Sequence, residues 1–220
     1  MSTTSLGISD DVAAYMGRVG YREHPLLARL REETAAMPER NMQIAPEQGA
    51  FLAMLVELMG ARRCIEVGTF TGYSSLAVAL VLPPDGRIVC LDTSEAWTAI
   101  ARRYWSEAGV AEKLDLRIGD GVAGLDRLLA EGGAGSYDFA FVDAYKPDYV
   151  AYHERIVELL RPGGLVAYDN VLWSGRVADP TVDDDMVAGI RALNDRVAAD
   201  RRVGVAMVPV GDGVTLARKV

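Results

Sequence analysis

Two apolar runs of this chain end abruptly in oxygen-bearing side chains: "FAFVD" stops at Asp143, and "LVAYDN" stops at Asp169 and Asn170. Lys146 follows the first of them, in "VDAYKPDY". If the runs are successive strands, their ends lie side by side and three side-chain oxygens converge. Two crowded carboxylates raise each other's pKa unless a cation lies between them. Oxygen donors without His or Cys suit a hard ion, Mg²⁺ first, with Ca²⁺ or Mn²⁺ as alternatives. An octahedral ion held by three protein oxygens keeps three positions, enough for a bidentate substrate and one water. Beside such an ion the Lys146 ammonium is disfavoured, which suits the side chain to act as a base. Each residue also has a plainer use. Asx residues turn chains, and a lysine at a helix start can be simply solvated, although its charge there opposes the helix dipole.

Three earlier runs end in a related way, at Glu66-Val67-Gly68, at Asp92 and at Gly119-Asp120-Gly121. In "EVGTFTGYSS", Gly68 and Gly72 flank a tight passage into a helix, where backbone can approach a ligand and free N–H groups can face an acidic group. The loop is neither GxGxxG nor GxxxxGK followed by Ser or Thr, so it is not shaped for a dinucleotide pyrophosphate or a triphosphate. Asp92 stands where nucleotide-binding sheets place a carboxylate for both hydroxyls of a ribose. Its plainer use, capping the next helix, is open to Thr93 or Ser94. A nucleoside with a small charged tail and no phosphate fits best, and S-adenosylmethionine is such a molecule. Its ribose suits Asp92, its adenine the neighbourhood of Gly121, and its amino-acid end Glu66, Gly68 and Ser74.

These positions need a scaffold that presents strand ends together. Three helical stretches open the chain, about Asp10 to Met16, His24 to Thr34 and Glu47 to Met59, the last with Phe51, Leu52, Leu55, Leu58 and Met59 at helical spacing. From Arg63 onward, short β-branched runs alternate with amphipathic helices, the pattern of βαβ units in a parallel sheet covered on both faces. Right-handed crossovers make this α/β fold doubly wound, with ligands bound outside the carboxyl ends of its strands. The tail "VGVAMVPVGDGVTLARK" reads strand, turn, strand: a hairpin whose two antiparallel strands close an otherwise parallel sheet, seven strands in all.

At 220 residues, half of them hydrophobic, the chain suits a single domain spanning 1–220. A formal charge of -8, with Lys and Arg in no basic run, argues against a nucleic-acid surface. No apolar run approaches the roughly 20 residues that a membrane span needs, and "MSTTSLGISDDVAAYMG" has no basic segment leading into a long apolar one. A soluble cytoplasmic protein is expected. Cys64 and Cys90 sit in apolar strand-like runs without CxxC or His spacing and read as small buried hydrophobes.

The motifs "EVGTFTGYSS", "GRIVCLD", "YDFAFVDAYKPDY", "LRPGG", "YDNVLWSG" and "PVGDGVTLARK", in that order, resemble the cation-dependent class I O-methyltransferases, the group that includes caffeoyl-coenzyme A and catechol O-methyltransferases. The resemblance runs from "APEQGAFLAML" to the terminus. Its single motifs are weak; the ordered set is specific. It implies a Rossmann-like methyltransferase fold with extra N-terminal helices and a C-terminal antiparallel hairpin. It implies that Asp143, Asp169 and Asn170 hold the metal, and that Lys146 is the base with Asp143 beside it at the catalytic position. Glu66, Gly68, Thr69, Ser74, Asp92, Gly121 and Asp143 would then contact S-adenosylmethionine, with Met42 and Ile44 in a stretch over its methyl group. Residues 1–60 correspond to the part that shapes the acceptor pocket and the contact of a homodimer. Lys146, Trp173 and Ser174 would face the acceptor, although Trp173 has the equally plain use of packing its loop onto the sheet.

The chain departs from plant caffeoyl-coenzyme A enzymes at Tyr145-Lys146, where they carry Asp-Lys, and at Ser174, where they carry Asn. With the acidic "GRVADPTVDDD", these departures point to a smaller catechol-like acceptor or a natural-product phenol. In the expected reaction two neighbouring hydroxyls chelate the cation, Lys146 removes a proton, and the oxygen attacks the sulfonium methyl in line. A nicotinamide dehydrogenase is disfavoured by the missing glycine fingerprint. A noncatalytic protein on the same fold would lack several strand-end residues, all of which are present here.

Overall fold

The computed structural model describes residues 7–220; the first six, part of the N-terminal stretch read above, lie outside the described residues. Helices α1 (Asp10–Val19), α2 (Pro25–Ala35) and α3 (Pro46–Met59) precede any strand. There follow β1 (Arg63–Val67), α4 (Tyr73–Val81), β2 (Arg87–Asp92), α5 (Glu95–Glu107), β3 (Leu114–Ile118), α6 (Gly121–Ala130), β4 (Tyr137–Val142), α7 (Tyr149–Leu159) and β5 (Leu160–Asp169). The chain ends with α8 (Asp185–Ala199), β6 (Val203–Val208) and β7 (Val214–Lys219). Proline opens α2 and α3, where its missing N–H costs nothing. Ser94, Asp120 and Asp184 cap α5, α6 and α8 by accepting from the N–H groups of Trp97 (3.2 Å), Ala123 (2.8 Å) and Val187 (2.9 Å).

The strands form one seven-stranded sheet in the order β3-β2-β1-β4-β5-β7-β6. The hairpin enters it differently from the simple expectation. Its second strand, β7, pairs with β5 and leaves β6 at the edge, so β7 alone runs against the others. Burial explains the order: Val214, Thr215 and Ala217 of β7 are buried, whereas β6 is exposed from Gly204 to Met207. Successive residues of a strand face opposite sides, and here both sides are apolar. Cys64, Ile88, Cys90, Phe139 and Phe141 meet Leu52, Leu76, Ala79, Tyr104 and Trp105 of α3 to α5. Ile65, Val67, Leu91, Val142 and Tyr168 meet Leu125, Leu128, Tyr149, Ile156 and Leu193 of α6 to α8. Among the described residues no helix is long and apolar enough to cross a membrane, and both cysteines are free and buried.

Register sets the strand ends level. Val67 pairs with Leu91 on one side and Val142 on the other, and Val142 pairs with Tyr168. The next residues, Asp92, Gly68, Asp143 and Asp169, therefore stand in one row along the carboxyl edge. The row crosses the point where strand order reverses, between β1 and β4, the place where such sheets bind ligands. Gly68 is what lets the β1 exit pass the β4 exit: its φ is +88°, and a Cβ there would lie 1.9 Å from the Asp143 carbonyl oxygen. The N-terminal helices are tied to the same edge. Thr34 Oγ1 donates to Thr71 Oγ1 at 2.9 Å, and the Tyr73 hydroxyl donates to Glu23 Oε1 at 2.7 Å.

Candidate active site

A cavity of about 610 Å³ opens along this row. Met42, Ile44, Gly68, Thr69, Ser74, Asp92, Gly121, Asp143, Lys146 and Trp173 line it. Glu66, Asp169 and Asn170 are outside the lining and buried, at 3%, 1% and 3% exposure. Ser174, expected to face the acceptor, is exposed and outside the lining; its N–H donates to Asp212 Oδ1 at 2.5 Å. The loop that carries Ser174 is held through its backbone by the β6–β7 turn. Val171 and Leu172 donate to the carbonyls of Gly213 and Asp212, both at 3.1 Å.

That loop is held against its preference. Among the described residues the non-glycine positions with left-handed φ are Phe70 (52°), Asn170 (60°), Trp173 (45°) and Ser174 (53°), all in the two loops at the cavity. Such positions cost about 1–3 kcal/mol each and persist only where surroundings enforce them. Gly213 supplies part of the enforcement: with φ +86° it packs where a Cβ would lie 2.5 Å from Leu172 Cγ.

At the β4 and β5 ends, Lys146 opens a short 3-10 turn, Lys146–Asp148, and is 4% exposed rather than solvated. Its Nζ donates to Asp143 Oδ1 at 2.8 Å and to the Tyr149 hydroxyl at 2.7 Å. It lies 5.8 Å from the centre of the Trp173 ring. The Asp169 carboxyl is pushed up to about 8, first by burial and then by the Asp143 charge, while Lys146 and the Gln48 side chain pull it back. Asp169 Oδ1 accepts from the Asn170 N–H at 2.7 Å. The left-handed backbone at Asn170 leaves its Oδ1 buried with no hydrogen-bond partner among the described residues. Two carboxylates and an orphaned amide oxygen make an all-oxygen donor set, and it fits a hard divalent cation.

At the β1 and β2 ends, burial pushes the Glu66 carboxyl up to about 8. Glu66 Oε1 and Thr69 Oγ1 are both buried without a hydrogen-bond partner among the described residues. The pair fits a cationic, hydrogen-bonding group. Asp92 has a structural use beside the expected one. Its Oδ2 accepts from the N–H groups of Thr69 (2.9 Å) and Phe70 (2.8 Å), and its Oδ1 from Ser94 (2.7 Å). A carboxylate offers about four acceptor sites, so capacity is left on a side chain that also lines the cavity. Asp92→Ala is therefore expected to lower the melting temperature of the ligand-free protein as well as ligand affinity, each orphaned buried N–H costing about 1–3 kcal/mol. An unchanged melt would contradict this double role.

Leu91, Thr93, Trp97, Asp120, Tyr152 and Met186 complete much of the wall. Trp97 meets Phe70 edge-on, ring centres 5.3 Å apart at 76°. The sequence signal for Leu91, Thr93 and Asp120 was their adjacency to strand-end residues. Gln48 and Met186 were given no role, since they arrive on α3 and α8 from distant parts of the chain; Tyr149 stood in "VDAYKPDY" with no role assigned to it.

A model of the O-methyltransferase family matches residues 17–220. The chain is 45% identical over 226 residues to Caffeoyl-CoA O-methyltransferase 2 of Zea mays, covering 98% of this chain and 85% of that one. TomG, an O-methyltransferase of Streptomyces achromogenes involved in Tomaymycin synthesis and solved in complex with SAM, has a TM-score of 0.86 and 33% identity over 96% of both chains. An O-methyltransferase of Bacillus cereus, solved in complex with SAH, has a TM-score of 0.88 and 32% identity over 96% of this chain and 97% of that one. The chain belongs to the O-methyltransferase family and is an S-adenosylmethionine-dependent O-methyltransferase.

Proposed function

We propose that this enzyme moves the methyl group of S-adenosylmethionine to one hydroxyl of a vicinal dihydroxy aromatic small molecule, in a reaction that needs a divalent cation. The observation that carries the reading is the donor set of Asp143, Asp169 and the orphaned Asn170 Oδ1, with Lys146 ion-paired to Asp143. These three residues would hold Mg²⁺, or Ca²⁺ or Mn²⁺, and when bound the ion supplies Lewis acidity that lowers the pKa of a neighbouring phenol. Lys146 accepts the proton of the hydroxyl that is methylated. Glu66, Thr69 and Ser74 receive the amino-acid end of the cofactor, Asp92 a ribose hydroxyl, and Gly121 with Tyr152 borders the adenine. Met42 and Ile44 cover the methyl group, and Trp173 and Met186 wall the acceptor. Charge is neutralised as the methyl moves, so walls that exclude water favour the step. Exposed Val12, Tyr15 and Val19 on α1, with Met54 and Leu58 on α3, support a homodimer formed through residues 1–60.

A small phenol is supported by the acidic stretch 179–185, which runs up to Met186 on the cavity wall and opposes phosphates. The identity with the Zea mays enzyme favours a second reading, a coenzyme A thioester of caffeate. Mass spectrometry of catechol and caffeoyl-coenzyme A incubated with S-adenosylmethionine separates the two. Catechol is expected to be methylated with Mg²⁺, to stop in excess EDTA, and to resume when Mg²⁺ is restored. Full turnover in EDTA would remove the cation from the reaction, and a strong preference for the thioester would replace the acceptor.

Glu66 adds a pH signature. Its carboxyl, raised to about 8, is mostly protonated in the free enzyme at neutral pH, and a cationic amino group beside it favours the carboxylate. Cofactor binding at pH 6 to 7 is then expected to release close to one proton, and affinity to rise with pH there by up to about tenfold per unit. Calorimetry in buffers of different ionisation enthalpy reads the proton directly. Glu66→Gln is expected to bind more weakly and to release none; equal proton release by both proteins would place the titrating group elsewhere.

A further inference from the structure

Tyr149 is a fully buried phenol on α7, and its hydroxyl has no part in the chemistry assigned to Lys146, Asp143 and Asp169. The hydroxyl sits among three partners. Its single proton is directed to the backbone carbonyls of Asp169 (3.2 Å) and Val142 (3.3 Å), the last residues of β5 and β4. Its oxygen is thereby left to accept, and Lys146 Nζ donates to it at 2.7 Å. The same Nζ donates to Asp143 Oδ1 at 2.8 Å. Two hydrogen bonds and the bond to Cε together fix where a tetrahedral nitrogen sits and how it is turned. Asp143 and Tyr149 take two directions of Nζ, and Lys146 lines the cavity in which an acceptor would bind.

We propose that Tyr149 is the positioning residue of the methyl-transfer site: its hydroxyl, held as an acceptor by the two strand-end carbonyls, fixes the place of the Lys146 nitrogen that takes the acceptor's proton. The inference rests on the reading of Lys146 as the base. In the step itself the nitrogen electron pair forms the new N–H bond and the acceptor O–H bond breaks, its electron pair staying on the oxygen; that oxygen forms the new O–C bond as the methyl–sulfur bond breaks, its electron pair going to the sulfur, and S-adenosylhomocysteine leaves. The two N–H bonds to Asp143 and Tyr149 are kept throughout, so the base gains a proton without rotating. A phenylalanine would fill the same volume and leave the amine free to turn.

Tyr149→Phe tests this, with Tyr168→Phe as the control. Tyr168 is equally buried, and its ring centre is 6.4 Å from that of Tyr149, but its hydroxyl meets His153 Nδ1 at 2.7 Å. Turnover is measured with catechol, S-adenosylmethionine and Mg²⁺, cofactor binding by calorimetry without metal, and folding by thermal melts. Tyr149→Phe is expected to lower kcat on the order of tenfold or more with KM for catechol and cofactor affinity within about twofold, since misplacing a reacting group by about 1 Å costs up to about 10²-fold. Tyr168→Phe is expected to melt as low or lower and to keep kcat. In a Lys146→Met background Tyr149→Phe is expected to cost nothing more, because its effect passes through the amine. Wild-type kcat in Tyr149→Phe, an equal loss in both backgrounds, or a tenfold weaker cofactor would each overturn the positioning role. A fully active Lys146→Met would instead remove the base on which the inference rests, so the two failures are told apart.

Discussion

Lys146→Met is expected to lower kcat on the order of 10²-fold or more while S-adenosylmethionine binds within a few-fold of wild type. Methionine keeps an unbranched apolar stem of similar length in the buried path and removes the amine. No other cationic side chain lines the cavity among the described residues, so no neighbouring lysine or arginine can replace it there. The substitution also strips Asp143 of its ion pair at 2.8 Å, and a buried carboxylate without its partner is costly. The metal-free variant should therefore melt below wild type, and Mg²⁺ should recover much of that difference by giving Asp143 a new counter-charge. Single-turnover methyl transfer with catechol, set beside melts with and without Mg²⁺, reads both effects. A mutant that transfers methyl at the wild-type rate would show that the proton leaves by another route.

Asp169→Ala is expected to abolish Mg²⁺-supported turnover yet leave calorimetric S-adenosylmethionine binding within a few-fold of wild type. The two carboxylates supply most of the charge that would hold the cation, and neighbouring strand ends place them together. Alanine also orphans the Asn170 N–H, which Asp169 Oδ1 accepts at 2.7 Å, so loss of activity alone is ambiguous. Asp169→Asn resolves it. The amide oxygen can keep that hydrogen bond while one buried charge disappears, and burial beside Asp143 already opposes ionisation of Asp169. The metal-free Asn variant should melt as high as wild type or higher, and it should lose the stabilisation that Mg²⁺ gives wild type, about 2.7 kcal/mol at a hundredfold excess over Kd. A variant that loses S-adenosylmethionine and keeps the Mg²⁺ effect would reverse the division of the site into a cofactor half and a cation half.

The order of βαβ units, the strand ends and the residues standing on them were legible in the sequence, and so was the oxygen-rich character of the β4 and β5 ends. Each strand is a short apolar run, and the residue that follows it is covalently bound to the sheet edge. Parallel pairing then places those residues in one row, so Asp92, Gly68, Asp143 and Asp169 could be grouped before any coordinate was known. The cap of α5 was legible for the same local reason: Ser94 lies within a turn of the N–H group it accepts from.

What the sequence left open depended on contacts between distant segments. That Asp92 also holds the loop after β1, through the N–H groups of Thr69 and Phe70, was not foreseen, because that loop folds back on it from 22 and 23 residues away. Ser174 was placed toward the acceptor, whereas the turn between β6 and β7 takes its backbone N–H and the side chain is exposed. Gln48 and Tyr149 stood inside quoted motifs without a role of their own; Gln48 reaches Asp169 because α3 packs on the sheet with its first turn at the edge, and Tyr149 meets Lys146 one turn away while its hydroxyl is held by the ends of β4 and β5. A hydrophobic period states that a helix has a buried face; its rotation and height against the sheet follow from the packing of many side chains at once. The sequence by itself thus determined which groups stand at the strand ends and what chemistry they offer, and tertiary packing decided which of them are held, shared or turned away.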